Sequence, residues 1–305
     1  MPFPAIPPPA ATELPRAPVH GDPYLDGQMS LRGLILDPRR GSRVRLLRAD
    51  WHGIRDMRET DEERAGMHGV WSGRDLLPGL QLAMTVRIYG ESAVGAQILL
   101  RHLTTAFAPA DAPVPLLHRR DGVTLLRWVK PRLADPDESR IGLGLVDVTC
   151  GVLAIDPAYY TARASTVSAT LGAPGGGITP PLTPPLALPA RPGAGTVVVH
   201  NRGSWPSPPV LTITGPISRP GVACDDAGWV LAYDFDLDDG QTLTIDTAAG
   251  AATLGASAYR SPVPGSSITS DCTIPPGAAT LRLLGQATHP TRRPRLDVAV
   301  RNAWI

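Results

Sequence analysis

Short runs of alternating apolar and polar residues dominate the chain, and most of them end at glycine, proline or aspartate. A period of two residues turns one face of a segment toward a core and the other toward water, which is typical of β-strands. In the first half, such runs occupy residues 31–36, 44–47, 80–90, 123–129, 142–150 and 152–155. The pattern therefore predicts a mainly β fold.

One segment has helical periodicity instead. Its apolar residues recur at intervals of three and four, on one face of a helix: Ala93, Ala96, Leu100, Leu103 and Phe107. Ser92 can cap the start of this segment, and Pro109 prevents its continuation. The sequence predicts one helix over residues 91–107, with its apolar face packed on a sheet.

Closely spaced strand patterns continue from residue 195 to residue 305, including residues 210–216 and 239–246. Tyr233, Phe235 and Leu237 alternate with aspartates, which predicts a strand with one wet face, and Asp239-Gly240 predicts a hairpin turn. None of these residues forms a familiar catalytic pattern. The region therefore predicts a sandwich scaffold.

The length and the distribution of proline and glycine predict two domains. A chain of 305 residues is long enough for two cores. Its 34 prolines and 31 glycines exceed average usage, which favours many turns. They predict an extended N-terminal arm over residues 1–28 and a linker over residues 164–194. Two β-sandwich domains follow, over residues 29–163 and 195–305, the first with one α-helix.

Charge and cysteine content exclude several classes of protein. A net charge of +1 with 43% hydrophobic residues indicates an ordinary globular chain without the charge excess of nucleic-acid-binding proteins. Cys150, Cys224 and Cys272 are widely spaced and form no CxxC motif, which argues against zinc and redox chemistry. Buried thiols are the favoured interpretation, with a Cys224–Cys272 pair as the alternative. We expect no signal peptide and no membrane span, and therefore synthesis in the cytoplasm.

Two acidic segments are candidate metal sites. Residues 56–69 are densely charged and predict an exposed loop, with Asp61, Glu62, Glu63 and His68 as a less favoured metal site. Residues 234–240 resemble the start of a calcium loop. Their glycine stands one place late, and Ile245 occupies the position of the required glutamate.

No catalytic, cofactor-binding or metal-binding residue is predicted. The chain contains no nucleophile elbow, phosphate-binding loop, HExxH motif or dinucleotide fingerprint. A Ser/His/Asp site or a pair of carboxylates assembled by the fold stays open. Trp205 and Trp229 could stack on a sugar ring, although a tryptophan in a sandwich more often lies in a core or an interface.

The order of several segments resembles that of a known family. The first half has a charged block ending at residues 66–69, one helix, a hairpin around Asp121-Gly122 and a strand closing on residues 155–160. The motifs of the second half follow in this order: residues 201–203, 208–215, 239–246, 275–277 and 301–304. In this order the chain resembles the distal tail proteins of siphophages, the phages with long non-contractile tails.

The resemblance implies a structural virion protein without enzymatic activity and without a cofactor. Its first β-sandwich would assemble into a hexameric ring, and its second, galectin-like β-sandwich would project outward. The ring would join the tail tube protein to a tail-tip hub or tail-associated protein, with the tape-measure protein as a further neighbour. Nucleic acid would contact it only in the channel that the ring lines.

Two other functions remain open. A carbohydrate-binding module, which would bind a receptor or a cell-wall glycan, predicts saccharide binding that is lost on Trp205→Ala or Trp229→Ala. A hydrolase built on a sandwich predicts turnover of host-wall glycans. A galectin-like fold does not by itself imply sugar binding, because function lies in the site.

Overall fold

The chain forms two compact units, residues 1–157 and 158–305. A computed structural model describes residues 24–51, 57–73, 75–171, 195–255 and 258–305. Residues 1–23 of the predicted arm and residues 172–194 of the predicted linker lie outside the described residues. Strands are the main secondary structure of both units, so the predicted mainly β, two-domain fold is confirmed.

In its described residues the first unit contains nine strands, one α-helix and one short 3₁₀ helix. They are β1 (Met29–Leu31), β2 (Leu34–Leu36), β3 (Val44–Ala49), β4 (Glu62–Glu63), β5 (Val70–Trp71), β6 (Leu80–Tyr89), α1 (Ala93–Ala106), β7 (Val114–Arg120), β8 (Val123–Asp137), the 3₁₀ helix (Ile141–Leu143) and β9 (Leu145–Ala154). Seven strands form an antiparallel sheet in the order β2-β1-β7-β8-β9-β6-β3. Strands β4 and β5 form a separate hairpin.

The two edges of the seven-stranded sheet meet each other. Asp37 follows β2 directly and forms a parallel bridge with Arg45 of β3. The Asp37 N–H donates to the Val44 carbonyl at 3.1 Å, and the Asp37 carbonyl accepts from the Leu46 N–H at 3.0 Å. Closure of a sheet removes the free edges that would pair with other chains. This closed sheet, rather than two separate sheets, surrounds the core of the first unit.

The side chain of Asp37 supports the closure. It accepts a hydrogen bond from Gln28 Nε2 at 2.7 Å and one from the Arg39 backbone N–H at 3.0 Å, and it pairs with the Arg39 guanidinium. Chiefly through that guanidinium, these partners hold the pKa of Asp37 well below its ordinary value of 3.8, although burial acts to raise it. The closure therefore depends on a charged, largely buried carboxylate.

Alternation along the central strands builds the core of the first unit. The inward residues of β6 and β9 are fully or almost fully buried: Leu82, Met84, Val86, Ile88, Val146, Val148, Cys150 and Val152. Helix α1 packs against both strands and buries Ala96, Leu100 and Leu103. Ser92 Oγ accepts from the Gly95 N–H at 3.1 Å, so the predicted cap and helix are confirmed. No helix among the described residues is long and apolar enough to cross a membrane.

The predicted strand over residues 31–36 is a hairpin instead. Strands β1 and β2 pair with each other around Arg32 and Gly33, whose φ angles are 49° and 83°. Two consecutive positive φ values produce the tight turn that matches strand twist. Arginine seldom adopts this conformation, so a turn at these two residues is hard to predict from the sequence.

Strand β7 was not predicted, because its proline, histidine and two arginines interrupt the apolar pattern. The hairpin turn at Asp121-Gly122 that follows it is confirmed, since β7 pairs with β8. The runs predicted at residues 142–150 and 152–155 merge into the single strand β9 over residues 145–154, because Gly151 stays in register with Ala83 of β6. Residues 142 and 143 belong to the 3₁₀ helix instead.

The second unit contains thirteen strands and one 3₁₀ helix (Thr269–Asp271) in its described residues. The strands are β10 (Tyr159–Thr161), β11 (Ser165–Thr170), β12 (Thr196–Asn201), β13 (Val210–Thr214), β14 (Ile217–Cys224), β15 (Trp229–Ala232), β16 (Asp236–Leu237), β17 (Thr242–Asp246), β18 (Ala251–Leu254), β19 (Ala258–Tyr259), β20 (Gly277–Ala287), β21 (Arg295–Val300) and β22 (Ala303–Trp304). One sheet has the order β11-β21-β13-β17-β18-β19, and another has β12-β20-β14-β15 with β16 beside β14. Both sheets contribute to one hydrophobic core, as in a β-sandwich.

The second unit begins earlier than predicted. Strand β10 pairs with β22, and β11 pairs along the whole of β21, from Ser165 with Val300 to Thr170 with Arg295. Residues 158–163 therefore belong to the second unit, and residues 165–170 are not linker. Strand β11 was hard to predict because it lies at a sheet edge and most of its residues are polar or exposed. Only Val167 and Ala169 are appreciably buried.

The predicted hairpin at Asp239-Gly240 is wrong. Strand β16 pairs with β14, whereas β17 pairs with β13 in the other sheet. The turn therefore carries the chain from one sheet to the other. The predicted alternation before it is present, since Tyr233 and Leu237 are buried while Asp234 and Asp236 are exposed.

Asn201 ties three distant segments of the second unit together. Its Nδ2 donates to the carbonyls of Trp205 at 2.7 Å and Ile274 at 3.2 Å. Its Oδ1 accepts from the N–H groups of Gly203 and Ala303, both at 3.1 Å. The motifs at residues 201–203 and 301–304 therefore form one cluster in space, which explains why both belong to the same pattern.

We expect Asp37→Asn to lower the free energy of unfolding by about 2 kcal/mol, because an amide cannot accept all the bonds that the carboxylate accepts. Urea unfolding at pH 7 checks this. Asp121→Asn is the matched control, since the Asp121 carboxylate is 90% exposed. Equal stability of the Asp37→Asn and Asp121→Asn proteins would contradict a supporting role for Asp37.

The contribution of Asp37 should also depend on pH. A carboxyl whose pKa is lower in the folded state stabilises the fold above its unfolded pKa, and this stabilisation is lost as pH falls through the folded pKa. The difference in stability between wild type and Asp37→Asn should therefore be full at pH 7 and shrink below about pH 4. A difference that stays constant down to pH 2 would contradict this.

Gly203→Ala should lower the free energy of unfolding of the second unit by about 1–3 kcal/mol. A Cβ at Gly203 would lie 1.7 Å from the carbonyl oxygen of Ala303, so the backbone would have to move. Thermal unfolding measures the effect. Gly142→Ala is the control, because a Cβ at Gly142 meets nothing within 4 Å.

Candidate interaction surfaces

The β4–β5 hairpin exposes three large apolar side chains: Met67, Val70 and Trp71, which we call the hairpin knob. Met67 is 64% exposed and Trp71 is 62% exposed. Hydrogen bonds from Met67 N–H to the Arg64 carbonyl and from Arg64 N–H to the Gly69 carbonyl close the turn. The segment was predicted as an exposed charged loop, and the exposure is present, but the hairpin and its apolar tip were missed.

Acidic residues are frequent in and just before the hairpin. Glu59, Asp61, Glu62 and Glu63 are all exposed. Glu62 stands opposite Trp71, and Glu63 stands opposite Val70. The guanidinium carbon of Arg64 lies 4.4 Å from the centre of the Trp71 ring, a cation–π contact that covers part of the indole. The hairpin thus presents an aromatic residue beside a carboxylate.

A second apolar surface lies on α1 and the neighbouring 3₁₀ helix. Val94 is 65% exposed, Ile98 is 50% exposed and Leu143 is 77% exposed. We call these three residues the helix face. Val94, Ile98 and the exposed Arg101 follow one another at intervals of four and three residues, so they share one side of the helix. The sequence contained this signal, but only the buried stripe was predicted.

Local contacts fix the 3₁₀ helix that carries Leu143. It packs against α1, and the Gly90 N–H donates to the Gly144 carbonyl at 2.7 Å. Arg140, just before it, bonds Asp147 at 2.6 Å, and Arg87 forms two bonds of 2.6 and 2.8 Å with the same carboxylate. These guanidinium groups, Arg87 above all, lower the pKa of Asp147. The 3₁₀ helix that carries Leu143 is therefore flanked by ion pairs of Arg140 and Arg87 with Asp147.

The acidic segments do not form metal sites in the structure. No group of three or more His, Cys, Asp or Glu side chains among the described residues is arranged to hold a metal ion. Asp61 accepts from the Gly73 N–H at 2.7 Å, and Asp239 pairs with Arg292. The aspartates of residues 234–239 alternate along the chain instead of converging on one point.

The two candidate tryptophans have different surroundings. Trp229 is 5% exposed, belongs to the sandwich core and donates its indole N–H to the Thr273 carbonyl at 2.9 Å. A sugar ring could stack on Trp229 only if the core opened, which corrects its assignment as a glycan contact. Trp205 is 37% exposed, so its contact with a glycan stays a prediction.

All three cysteines are buried free thiols. Burial raises the pKa of Cys150 to about 12 and that of Cys272 to about 11, and it also raises the pKa of Cys224. A thiol reacts as its thiolate, and raised pKa values keep these three thiols protonated at neutral pH. They are therefore unreactive there. The favoured interpretation as buried thiols is confirmed, and Cys224 and Cys272 do not form a disulfide.

Comparison with solved structures finds proteins of similar fold. The chain is similar to SPP1 Dit (gp 19.1), a protein described as a paradigm of the hub adsorption apparatus in phages that infect Gram-positive hosts. The TM-score is 0.59, the identity is 11%, and the match covers 91% of this chain and 99% of that one.

Two further matches are chains of the phage P2 baseplate in its activated conformation, one with Ca and one with Sr. Both have a TM-score of 0.50 and an identity of 12%, and they cover 91% and 89% of this chain and 98% and 96% of the baseplate chains. No family model matches the sequence, and no curated protein matches it. At these identities the likeness concerns the fold.

The native protein should resist thiol reagents at pH 8, because none of its thiols is exposed and their pKa values are raised. Ellman's reagent should detect no fast-reacting thiol in the native state and three after denaturation. Ser204→Cys, at an exposed position, is the positive control and should react at once. Fast labelling of the native wild type would contradict the burial of the three thiols.

Proposed function

We propose that this protein is a structural component of a phage tail tip, a distal tail protein that forms a hexameric ring between the tail tube and the tail-tip proteins. The main support is the likeness to SPP1 Dit, which extends over 91% of this chain and 99% of that one. A match over 91% of this chain extends over parts of both units. The order of the sequence motifs points to the same family.

The surfaces of the first unit support assembly. A closed ring of identical copies uses a head-to-tail contact in which two different surfaces meet. The first unit has two such surfaces, the hairpin knob and the helix face, and each exposes about half or more of three large apolar side chains. Grouped apolar residues on a surface mark interaction sites, whereas single ones do not.

The second unit would project from the ring as a galectin-like sandwich. In this proposal the partners of the whole protein are the tail tube protein and a tail-tip hub or tail-associated protein, with the tape-measure protein as a further candidate. Its location is the tail tip of the virion. Nucleic acid would meet the protein only in the channel. The role needs no catalytic residue and no cofactor.

A carbohydrate-binding module is the second candidate, and the exposure of Trp205 is the observation that favours it. This candidate predicts glycan binding by a monomer, with loss of binding on Trp205→Ala. Its support is weaker than that of the ring, because the other candidate tryptophan lies in a core. A hydrolase has less support still, since no sequence motif indicates one.

Light scattering on the purified full-length protein, with negative-stain microscopy of the same fraction, tests the proposal. The expected result is the mass of six chains and a ring with a central hole. A monomer that binds glycans would support the second candidate instead.

Assembly should reside in the first unit. A protein ending at Pro157 should still form rings, because both candidate surfaces precede that residue, whereas residues 158–305 alone should stay monomeric. Sedimentation velocity of the two fragments measures this, and circular dichroism establishes that each is folded. Rings formed by the second fragment would contradict the assignment.

A further inference from the structure

The hairpin has two faces, and only one of them carries an aromatic residue. In an antiparallel pair, residues directly opposite each other share a face. Glu62 stands opposite Trp71, and Glu63 stands opposite Val70. Trp71 and Glu62 therefore share one face, which we call the Trp71 face, while Val70 and Glu63 share the other.

The Trp71 face has the character of an interface anchor. Tryptophan is enriched among the residues that dominate binding energy, because a large ring buries much area at a low cost in conformational entropy. The Arg64 guanidinium packs on the ring of Trp71 and helps to order it, while 62% of the residue stays exposed. A carboxylate beside such an anchor favours a partner that offers an apolar surface next to a positive charge.

The helix face offers that combination. Val94 and Ile98 form an exposed apolar pair, and Arg101 follows Ile98 by three residues on the same side of α1. Arg101 is exposed, and no ion pair involves it among the described residues. Leu143 extends the apolar surface beside the helix. The charge beside this surface is thus opposite in sign to the carboxylate beside Trp71.

We propose that the Trp71 face of one copy docks on the helix face of the next copy, with Glu62 facing Arg101. This inference rests on the proposed ring and names the contact that joins its subunits. The two surfaces share no residue, so the contact is head-to-tail and leaves one free surface of each kind at the ends of an open chain of copies. Closure of the ring satisfies the last pair.

Substitutions on the two surfaces of the full-length protein test the docking. Trp71→Ser and Ile98→Ser should each raise the concentration at which half of the protein assembles by at least about tenfold, the loss expected for a central contact. Val123→Ser is the matched control, because Val123 is a 44% exposed residue of the same unit that belongs to neither the hairpin knob nor the helix face. It should leave assembly unchanged. Mass photometry over a dilution series measures assembly.

Reversal of the two charges tests the pairing itself. Glu62→Arg and Arg101→Glu should each weaken assembly, and the double variant should recover most of it, a result that loss of folding would not produce. Equal weakening in the single and double variants would overturn the pairing. Thermal unfolding of each variant establishes that the first unit stays folded.

The outcomes separate this inference from the proposed function. Rings of wild-type stability in the Trp71→Ser and Ile98→Ser proteins would overturn the docking and leave the proposed ring intact. A wild-type protein that stays monomeric at its highest soluble concentration would overturn the ring, and the docking with it.

Discussion

The first unit depends on one constraint, the meeting of its two sheet edges at Asp37. A sheet of seven strands with open edges would expose unpaired N–H and C=O groups, and such edges recruit other chains without specificity. Two backbone hydrogen bonds between Asp37 and β3 join the two edges. The Asp37 carboxylate, which is held by Gln28 and Arg39, supports this junction. With those edges joined, the candidate contact surfaces that we propose among the described residues of the unit are side-chain surfaces, the hairpin knob and the helix face.

The sequence predicted the features that depend on local physics. Alternation identified most central strands, and the apolar stripe with Ser92 identified α1, because burial and capping act over a few residues. It failed where the outcome depends on distant partners. Strand β11 is a polar edge that forms only because β21 lies beside it, and the Asp239-Gly240 turn connects two sheets although its residues suit a hairpin. The closure at Asp37 joins segments that no periodicity links.

The interaction surfaces were harder to predict than the fold for a related reason. An apolar residue in a sequence is normally assigned to the core. Val94, Ile98 and Trp71 therefore indicate an interaction surface only once the structure shows that they are exposed. Trp229 is the opposite case, because the sequence leaves it as a candidate sugar contact and the structure buries it in a core. The motifs at residues 201–203 and 301–304 proved to be structural, because Asn201 joins them.

Single-particle electron cryomicroscopy of the assembled full-length protein would test the central claim most directly. The account predicts a closed ring in which first units surround the central hole and join one another head-to-tail, with second units outside. Particles held together by contacts between second units, or twofold dimers joined by identical surfaces, would contradict it.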